Sequence, residues 1–249
     1  MKADTCAIHR KETTESTNAD ARAGRPGEVF IAEFQIAGRG RLDHRWLAPP
    51  GMNLTFSVVL DAAGRPLADV ATMPLVAGLA VVRAVRRLLQ GACAGDAPEL
   101  KWPNDVLVKG RKLAGLLCEL NGENVIAGIG LNVNQTVFAP ELAARATSLA
   151  LLAGRPFDRD KALYAVLDEL FAVHEIWQAS GFAALHHEFA AIDHLSGRMV
   201  AVKQTDSDDS PVSGICGGIQ PDGTLLVGGE RIFAGEAHVV PIREGMVSI

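Results

Sequence analysis

The sequence contains few of the residues from which metal and disulfide sites are built. Its 249 residues include four cysteines, Cys6, Cys93, Cys118 and Cys216, and no two of them form a CxxC pair. A structural zinc site normally needs such pairs, and a disulfide framework needs cysteines at regular spacings in a short chain. Neither kind of site is predicted, and a reducing cytoplasmic location fits best.

The sequence also lacks long apolar runs and an excess of positive charge. It has no N-terminal apolar segment of the signal-peptide type and no unbroken run of the roughly 18 apolar residues that a membrane span needs. It has 24 Lys and Arg against 29 Asp and Glu, so it has no general attraction for phosphate backbones and any anion site must be local. We therefore expect a soluble cytoplasmic protein that binds neither membranes nor nucleic acid.

Strand patterns dominate the first half of the chain, and most helical patterns follow them. Strands are predicted over 28–35, 53–60, 112–120 and 124–134, and helices over 69–90, 158–180 and 182–193. This order favours an α+β fold, with a mixed or antiparallel sheet and helices on one face, over regular βαβ winding.

The pattern changes beyond Gly197 to short alternating runs, separated by turn residues such as Pro221, Asp222 and Gly223. Four or five short strands within roughly 50 residues are typical of a small β-barrel. We therefore expect two domains, residues 1–194 and residues 195–249.

A glycine-spaced basic segment, AGRGR at 37–41, stands between two predicted strands. Glycine lets the backbone approach a bound group closely, and the guanidinium groups of Arg39 and Arg41 each offer a planar fork of donors to an anion. The spacing alone leaves two interpretations open, a loop that closes over a small anion or a solvated basic loop.

The segment KWPNDVLVKGRK places polar residues beside apolar strands. Lys112 begins an otherwise apolar strand, where a cation is costly to bury without an anionic partner. A ligand phosphate or carboxylate would be such a partner, or the side chain reaches water at the strand end. Asn104 and Asp105 follow a proline, so they are either site residues at a sheet edge or part of a simple turn.

Two further segments carry groups that suit a ligand. Gly128, Gly130 and Asn132 alternate along one predicted strand and share a face, which is open for a flat ligand or for a packed backbone. ESTN at 15–18 offers hydroxyl and amide groups at a helix start, although capping alone also explains it. No Ser/His/Asp or Cys/His set stands out, so we expect chemistry by positioning and charge neutralisation.

The order of these segments resembles that of the catalytic domain of biotin protein ligases, also called biotin–acetyl-CoA-carboxylase ligases. It runs ESTN, QxAGRGR, a tryptophan, KWPND, RKLAG and GIGLNVN, from Glu15 to Asn134, and the small β domain that follows also fits. The resemblance implies a class II synthetase-like catalytic domain followed by an SH3-like barrel.

The resemblance also implies a two-step reaction. Biotin and ATP give biotinyl-5′-AMP and pyrophosphate, and a lysine of a biotin carboxyl carrier protein or domain then attacks the mixed anhydride. Mg²⁺ is expected to accompany ATP. An exposed strand edge, through which some relatives dimerise, would allow a homodimer here.

The family pattern assigns residues to both substrates. The biotin-binding residues are Ser16, Thr17, Asn18, Gln35, Arg39, Gly40, Arg41, Lys112, Gly115 and Gly128. The ATP-binding residues are Arg39, Arg41, Trp46, Asn104, Lys112 and Asn132, and the catalytic residues are Lys112, Arg39, Arg41 and Asp105. Lys112 would bridge the biotin carboxylate and the α-phosphate. Asp105 would orient the incoming lysine or bind Mg²⁺, and the pattern does not choose between these roles.

The loop departs from the family in one place. Many members continue it as GRGRxGRxW, whereas Asp43 and His44 stand here where Gly and Arg are frequent. The loop is expected to be mobile when empty and to order over the activated intermediate. Its lower charge predicts altered retention of the adenylate or altered affinity for pyrophosphate.

The sequence gives reasons against three other functions. A DNA-binding repressor is disfavoured because only about fifteen residues precede ESTN, too few for a helix-turn-helix module. A ligase for lipoate or another acyl acid would normally carry an Arg-Arg and a Gly-Gly-Gly pattern, which are absent. An inactive carrier-binding module would not need Lys112.

Overall fold

The computed structural model describes residues 6–40, 46, 48–90, 97–204 and 211–240, which fold around two sheets. The strands are β1 Ile8–Thr14, β2 Val29–Gln35, β3 Leu54–Asp61, β4 Glu99–Lys101, β5 Asp105–Val108, β6 Arg111–Asn121, β7 Asn124–Leu131, β8 Met199–Lys203, β9 Val212–Ile219, β10 Leu225–Val227, β11 Glu230–Ile232 and β12 Glu236–Val239. The α-helices are α1 Thr17–Ala21, α2 Leu67–Val70, α3 Met73–Leu88, α4 Pro140–Ala143, α5 Leu149–Ala153 and α6 Arg159–Ser180. Two 3-10 helices, Phe182–Ala184 and His186–Ala191, stand where the sequence predicts one helix over 182–193.

The larger sheet has seven strands in the order β1-β2-β3-β7-β6-β5-β4. Strands β1 and β2 are parallel, and the remaining neighbours are antiparallel. The predicted mixed sheet is therefore confirmed. Strand β1 is absent from the sequence prediction because its residues, IHRKETT, are mostly polar, and it forms an exposed edge of the sheet.

Helices α3 and α6 pack on each other and against one face of the larger sheet. The predicted helix over 69–90 is wrong at its start, because α2 ends at Val70 and α3 begins only at Met73, with Pro74 in its first turn. Proline has no amide hydrogen to donate inside a helix but is well tolerated in the first turn. The chain therefore begins a new helix at this proline.

The segment Leu67–Leu88 has the length and the mean hydropathy, 1.6, of a membrane-spanning helix. In the fold, 67% of the 18-residue apolar stretch within this segment is buried inside the protein. A helix that lies in the core of a globular fold is apolar for the same reason, so burial accounts for its composition.

The other face of the sheet carries only a short helix over part of its area. Ala21 of α1 packs against Val59 and Ile126, with Phe30 beside them, in a small separate apolar cluster. Because side chains two apart on a strand share a face, the residues that follow Ile126 at the same period also lie on this side. Helix α1 has five residues, and farther along this face Asn18 and Trp46 lie against Gly128 and Gly130.

The second sheet has five antiparallel strands in the order β11-β10-β9-β8-β12, which agrees with the predicted small barrel. It shares one apolar core with the larger sheet and its helices. Polar contacts also join the two parts, since Trp102 Nε1 donates to the backbone oxygen of Gly223 at 3.1 Å and His186 Nε2 lies 2.8 Å from that of Ile219.

Asp193 ties these two parts together. Its carboxylate accepts hydrogen bonds from the backbone N–H groups of Leu195 and Ile219, both at 2.9 Å. Burial raises the pKa of this carboxyl, although the hydrogen bonds act in the opposite direction. The Asp193 carboxylate therefore links the segment that follows the second 3-10 helix to strand β9.

Replacing Asp193 with alanine should lower the free energy of unfolding by about 2–3 kcal/mol, because two buried N–H groups lose their acceptor. Urea denaturation followed by circular dichroism measures the change. Asp168→Ala, at an exposed position of α6, is the matched control and should change stability by less than about 0.5 kcal/mol. Equal stability of the two variants would contradict the role of Asp193.

Candidate active site

A cavity of about 680 Å³ lies between this second face of the larger sheet, on which α1 packs, and strand β12. Ligand pockets typically have volumes of roughly 300–1,000 Å³. The predicted site residues in its lining are Ser16, Thr17, Asn18, Gln35, Arg39, Gly40, Trp46, Asn104, Asp105, Lys112, Gly115, Gly128 and Asn132. Arg41, Asp43 and His44 lie outside the described residues. The structure thus brings together the predicted site residues that it describes.

One end of the cavity is a network of neutral polar groups. The backbone N–H and the hydroxyl of Thr17 both donate to Gln35 Oε1, at 2.8 and 3.0 Å. Ser57 Oγ lies 2.7 Å from Thr17 Oγ1 and 2.6 Å from Asn18 Oδ1. Asn18 Nδ2 donates to the backbone oxygen of Leu117 at 3.3 Å. These bonds fix the orientation of hydroxyl and amide groups that suit a neutral ligand group with both donors and acceptors.

The floor of the cavity is built from glycines on two neighbouring strands. Gly115 on β6 pairs with Gly130 on β7, and Gly128 lies two residues earlier on the same face. A Cβ added at Gly128 would overlap the amide of Asn18, and one added at Gly130 would overlap the indole of Trp46. Residues with side chains would collide with these groups, so glycine lets the Asn18 amide and the Trp46 indole lie against the backbone of β7.

Lys112 and Asp105 form an ion pair on the wall of the cavity, with Nζ and Oδ1 2.7 Å apart. Their side chains are 38% and 21% exposed, so the pair is open to the solvent of the cavity. The backbone of Lys112 is held on both sides, because its N–H donates to Arg145 O at 2.7 Å and its oxygen accepts from Thr147 N at 2.9 Å. The lysine therefore has a partner within the protein and still presents ammonium protons to a ligand anion.

Asn104 and Asn132 line the cavity, but their side-chain amides bind the backbone. Asn104 Nδ2 donates to Leu116 O at 2.8 Å, and Asn132 Nδ2 donates to Thr147 O at 3.0 Å. Asn132 Oδ1 also accepts from Asn53 Nδ2 at 3.3 Å. Both amides thus fix the ends of strands beside the cavity.

The basic loop begins at the cavity. Arg39 is exposed, lines the cavity and forms no ion pair with any residue in the described ranges. At the base of the loop, the N–H of Trp46 donates to the oxygen of Gly38 at 3.0 Å. The charge of Arg39 is therefore available to an anion in the cavity.

Sequence reasoning missed three polar residues of the larger sheet's side of the cavity. Ser57 was hidden in an apolar strand, where one hydroxyl residue is unremarkable in sequence. Lys101 lies opposite Asp105 in the register of β4 and β5, so the KWPND motif already contained a signal for it. No sequence pattern marks Arg145 as a site residue. It lies at the cavity because its neighbour Ala146 pairs with Lys112 in the fold.

The second sheet supplies another part of the wall that was not predicted. Glu236, His238 and Val239 of β12 line the cavity, together with His194. His194 Nδ1 lies 2.8 Å from a carboxylate oxygen of Glu99 on β4. These contacts depend on how the two sheets pack, which no local pattern reveals.

The described residues offer neither a metal cluster nor a reactive thiol. No group of three His, Cys, Asp or Glu residues is placed to hold a metal ion within the described ranges. Burial raises the pKa of Cys118 to about 12, so this thiol stays protonated at neutral pH. The site instead combines cations, neutral polar groups and a glycine floor on which Asn18 and Trp46 lie.

Comparisons with known proteins identify the family of this chain. A family model described as the biotin/lipoate A/B protein ligase family matches residues 8–135. The chain is 37% identical over 239 residues to the biotin--[acetyl-CoA-carboxylase] ligase of Mycobacterium tuberculosis, covering 92% of this chain and 87% of that protein. It is 30% identical over 206 residues to the bifunctional ligase/repressor BirA of Escherichia coli, covering 81% of this chain but only 61% of that longer protein.

The fold is also shared with a solved structure. The biotin protein ligase from Aquifex aeolicus in complex with biotin and ATP superposes with a TM-score of 0.81 at 26% sequence identity, covering 94% of this chain and 99% of that one. The predicted fold class is confirmed by this likeness. From its sequence, its fold and the arrangement of its cavity, this chain belongs to the biotin/lipoate A/B protein ligase family.

Proposed function

We propose that this protein is a biotin protein ligase, which activates biotin with ATP to biotinyl-5′-AMP and then transfers the biotinyl group to a lysine of a biotin carboxyl carrier protein or domain. The observation that carries the proposal is a single cavity that contains a neutral polar end, a glycine floor and a lysine–carboxylate pair. Biotin has a neutral ring and a reacting carboxylate. The neutral polar end suits the ring, and the lysine of the ion pair suits the carboxylate. The relatives named above are ligases for biotin, which supports this substrate.

The polar end is assigned to the ureido ring of biotin. That ring has two N–H donors and one carbonyl acceptor, and the hydroxyls of Ser16 and Thr17 and the amides of Asn18 and Gln35 offer both kinds of partner. Ser57, which orients Thr17 and Asn18, joins this set from the structure. The space over Gly128 holds the amide of Asn18, and the space over Gly115 holds Lys112 and Trp46, so these side chains would border the rest of the biotin molecule.

The adenylation step is assigned to the cations. An oxygen of the biotin carboxylate attacks the α-phosphorus, the bond from that phosphorus to the bridging oxygen breaks, and pyrophosphate leaves. Two anionic groups must approach each other in this step, so positive charge between them lowers the barrier. Lys112 is assigned this position, and Arg39, Gly40 and Arg41 are assigned to cover biotin and the adenylate.

The nucleotide side is assigned to Trp46, Asn104 and Asn132, beside Lys112 and the two arginines. Because the amides of Asn104 and Asn132 are bonded to the backbone, we assign these residues the role of holding the strand ends that border the nucleotide. Direct contact with ATP is then left to the cations and to Trp46.

Mg²⁺ is proposed to enter with ATP. This ion is usually held by one or two carboxylates together with substrate phosphates and water, and Asp105 is a carboxylate on the cavity wall, so the residues present fit that mode. When bound, Mg²⁺ supplies positive charge to the phosphates. Asp105 is assigned either to this ion or to the orientation of the attacking lysine amine.

The proposal also covers the domains, the partners and the cellular location of the enzyme. We assign residues 1–194 to the catalytic domain and residues 195–249 to an SH3-like domain. The carrier is the expected macromolecular partner, the exposed strand edge allows a homodimer, and nucleic acid and membranes are not expected partners. Cys118 and Cys216 form no disulfide within the described part of the chain, which supports a cytoplasmic location.

Transfer to a carrier tests the whole reaction. Incubation of the protein with biotin, MgATP and a purified carrier domain should add the mass of one biotinyl group, and tandem mass spectrometry should place it on one lysine. The same domain with that lysine changed to arginine is the control. Failure to modify the domain while biotin-dependent hydrolysis of ATP proceeds would point to a different acceptor, and no reaction with biotin at all would overturn the assignment.

Arg145 gives a further prediction about the nucleotide. Its side chain is exposed, lines the cavity and forms no ion pair within the described part of the chain, so its charge is available to a phosphate. Arg145→Ala should raise the KM for ATP about tenfold and leave the dissociation constant of biotin unchanged. Steady-state kinetics and calorimetry separate the two quantities. Arg86→Ala, exposed on α3 away from the cavity, should behave as the unmodified protein, and the same behaviour in Arg145→Ala would contradict this assignment.

A further inference from the structure

Asn53 is a buried polar residue at the end of the segment that contains the basic loop. It directly precedes β3 and is 4% exposed. Its Nδ2 donates to Asn132 Oδ1 at 3.3 Å and to Gln135 Oε1 at 2.7 Å, and its Oδ1 accepts from the backbone N–H of Val133 at 3.0 Å. Both amide hydrogens and the amide oxygen of Asn53 are thus bonded within the protein, which fixes the orientation of this side chain.

The hydrogen bonds of Asn53 continue to Lys112 through one further amide, that of Asn132 in the cavity lining. Asn132 Nδ2 donates to Thr147 O at 3.0 Å, and the N–H of Thr147 donates to Lys112 O at 2.9 Å. If the Asn132 amide turned over, its oxygen would face Thr147 O and its nitrogen would face the nitrogen of Asn53. The Asn53 donor therefore selects the one orientation of Asn132 that connects this wall to the backbone of Lys112.

We propose that Asn53 is a positioning residue for the nucleotide side of the site, which fixes the Asn132 amide and thereby the strand end that carries Lys112. Asn53 is buried and does not line the cavity, so it acts without touching a substrate. This inference rests on the proposed function and deepens it, since that function places ATP beside Asn132 and Lys112. The neutral polar end is held by a separate network around Thr17 and Ser57, which shares no hydrogen bond with Asn53 within the described part of the chain.

Asn53→Ala should lower kcat/KM for ATP about tenfold and change the dissociation constant of biotin by less than about twofold. The Asn132 amide loses the donor that orients it, whereas the N–H of Lys112 keeps its bond to Arg145 O at 2.7 Å. The loss should therefore stay below the roughly hundredfold that a misplacement of about 1 Å can cause. Initial rates of biotin-dependent pyrophosphate exchange at varied ATP measure kcat/KM, and calorimetry measures biotin binding.

Asn53→Asp makes the same test without removing volume from the core. It keeps the size of the side chain and an acceptor for the N–H of Val133, but it has no amide hydrogen to donate to Asn132. It should show the same selective loss of kcat/KM for ATP as Asn53→Ala.

Asn134→Ala is the matched control that separates positioning from a general loss of stability. The side chain of Asn134 makes two hydrogen bonds with the backbone of Phe157, both at 2.8 Å, and it does not line the cavity. Asn134→Ala thus loses hydrogen bonds close to the same strand end as Asn53→Ala, and thermal denaturation should show a lower midpoint for both variants. Only the variants of Asn53 should lose kcat/KM for ATP.

A double-mutant cycle shows whether Asn53 acts through Asn132. Asn132→Ala removes the amide that Asn53 orients. Adding Asn53→Ala to this variant should therefore lower kcat/KM for ATP by less than about a further twofold. Two independent effects would instead multiply.

The outcomes separate this inference from the function on which it rests. Normal kcat/KM for ATP in the Asn53 variants, while wild-type protein exchanges pyrophosphate with biotin, overturns the inference alone. An equal loss in Asn134→Ala, an equal loss of biotin binding, or effects of Asn53→Ala and Asn132→Ala that multiply also overturn it. Wild-type protein without biotin-dependent exchange overturns the proposed function and this inference with it.

Discussion

Replacing Lys112 with alanine should reduce the rate of biotin adenylation by about a thousandfold, the scale expected when one preorganised charge or donor is removed from a transition state. Lys112 Nζ is the ammonium group paired with Asp105 on the cavity wall, and its backbone is fixed by Arg145 and Thr147. No other lysine is held in this way beside the glycine floor among the described residues. The rate is measured as single-turnover formation of biotinyl-5′-AMP.

Two controls separate a catalytic loss from a structural one. Lys161→Ala removes an exposed lysine of α6 and should leave the rate unchanged. Lys112→Ala also leaves the Asp105 carboxylate without its cation, which is itself destabilising. Thermal denaturation therefore accompanies the kinetics, and a midpoint for Lys112→Ala within about 5 °C of wild type assigns the loss of rate to the reaction rather than to the fold. A Lys112→Ala rate within about tenfold of wild type would contradict the assigned role.

The second large effect is expected at Gly128. A Cβ at this position would overlap the Asn18 amide, and Asn18 is part of the polar network that includes Ser57 and Thr17. Gly128→Val should therefore fill the floor, displace Asn18 and weaken biotin binding by at least about a hundredfold, which corresponds to roughly 2.7 kcal/mol. Isothermal titration calorimetry measures the dissociation constant.

Gly128 and Asn18 lie on the surface of a cavity rather than in the main apolar core, so Gly128→Val should still fold. Thermal denaturation of Gly128→Val should show a midpoint within about 5 °C of wild type. Asn124→Ala, at the first residue of the same strand, is the control and should bind biotin normally. Normal biotin binding by Gly128→Val would show that the polar end and the floor do not hold this ligand.

The sequence predicted four strands of the larger sheet, β2, β3, β6 and β7, because their apolar residues recur at strand spacing. It did not predict β4 and β5, which have only three and four residues and lie in a segment interrupted by Pro103 and Gly110. It did not predict β1, whose side chains are mostly polar because the strand lies at an exposed edge. It placed the start of α3 too early, since apolar residues continue across the break before Pro74 and hydrophobic spacing alone does not detect it.

For the site, motifs that are local in sequence identified Lys112, Asp105 and the polar end at Thr17, and the structure places these groups in one cavity. Arg145 and His238 were missed because they reach the cavity through the packing of distant segments.

The most direct test of the central claim is exchange of labelled pyrophosphate into ATP, measured with biotin, with lipoate and with neither acid. Formation of biotinyl-5′-AMP is reversible, so an adenylating enzyme returns pyrophosphate to ATP only when its own acid substrate is present. The account predicts rapid exchange that requires biotin and is lost in Lys112→Ala. Exchange that depends on lipoate, or none with either acid, would contradict it.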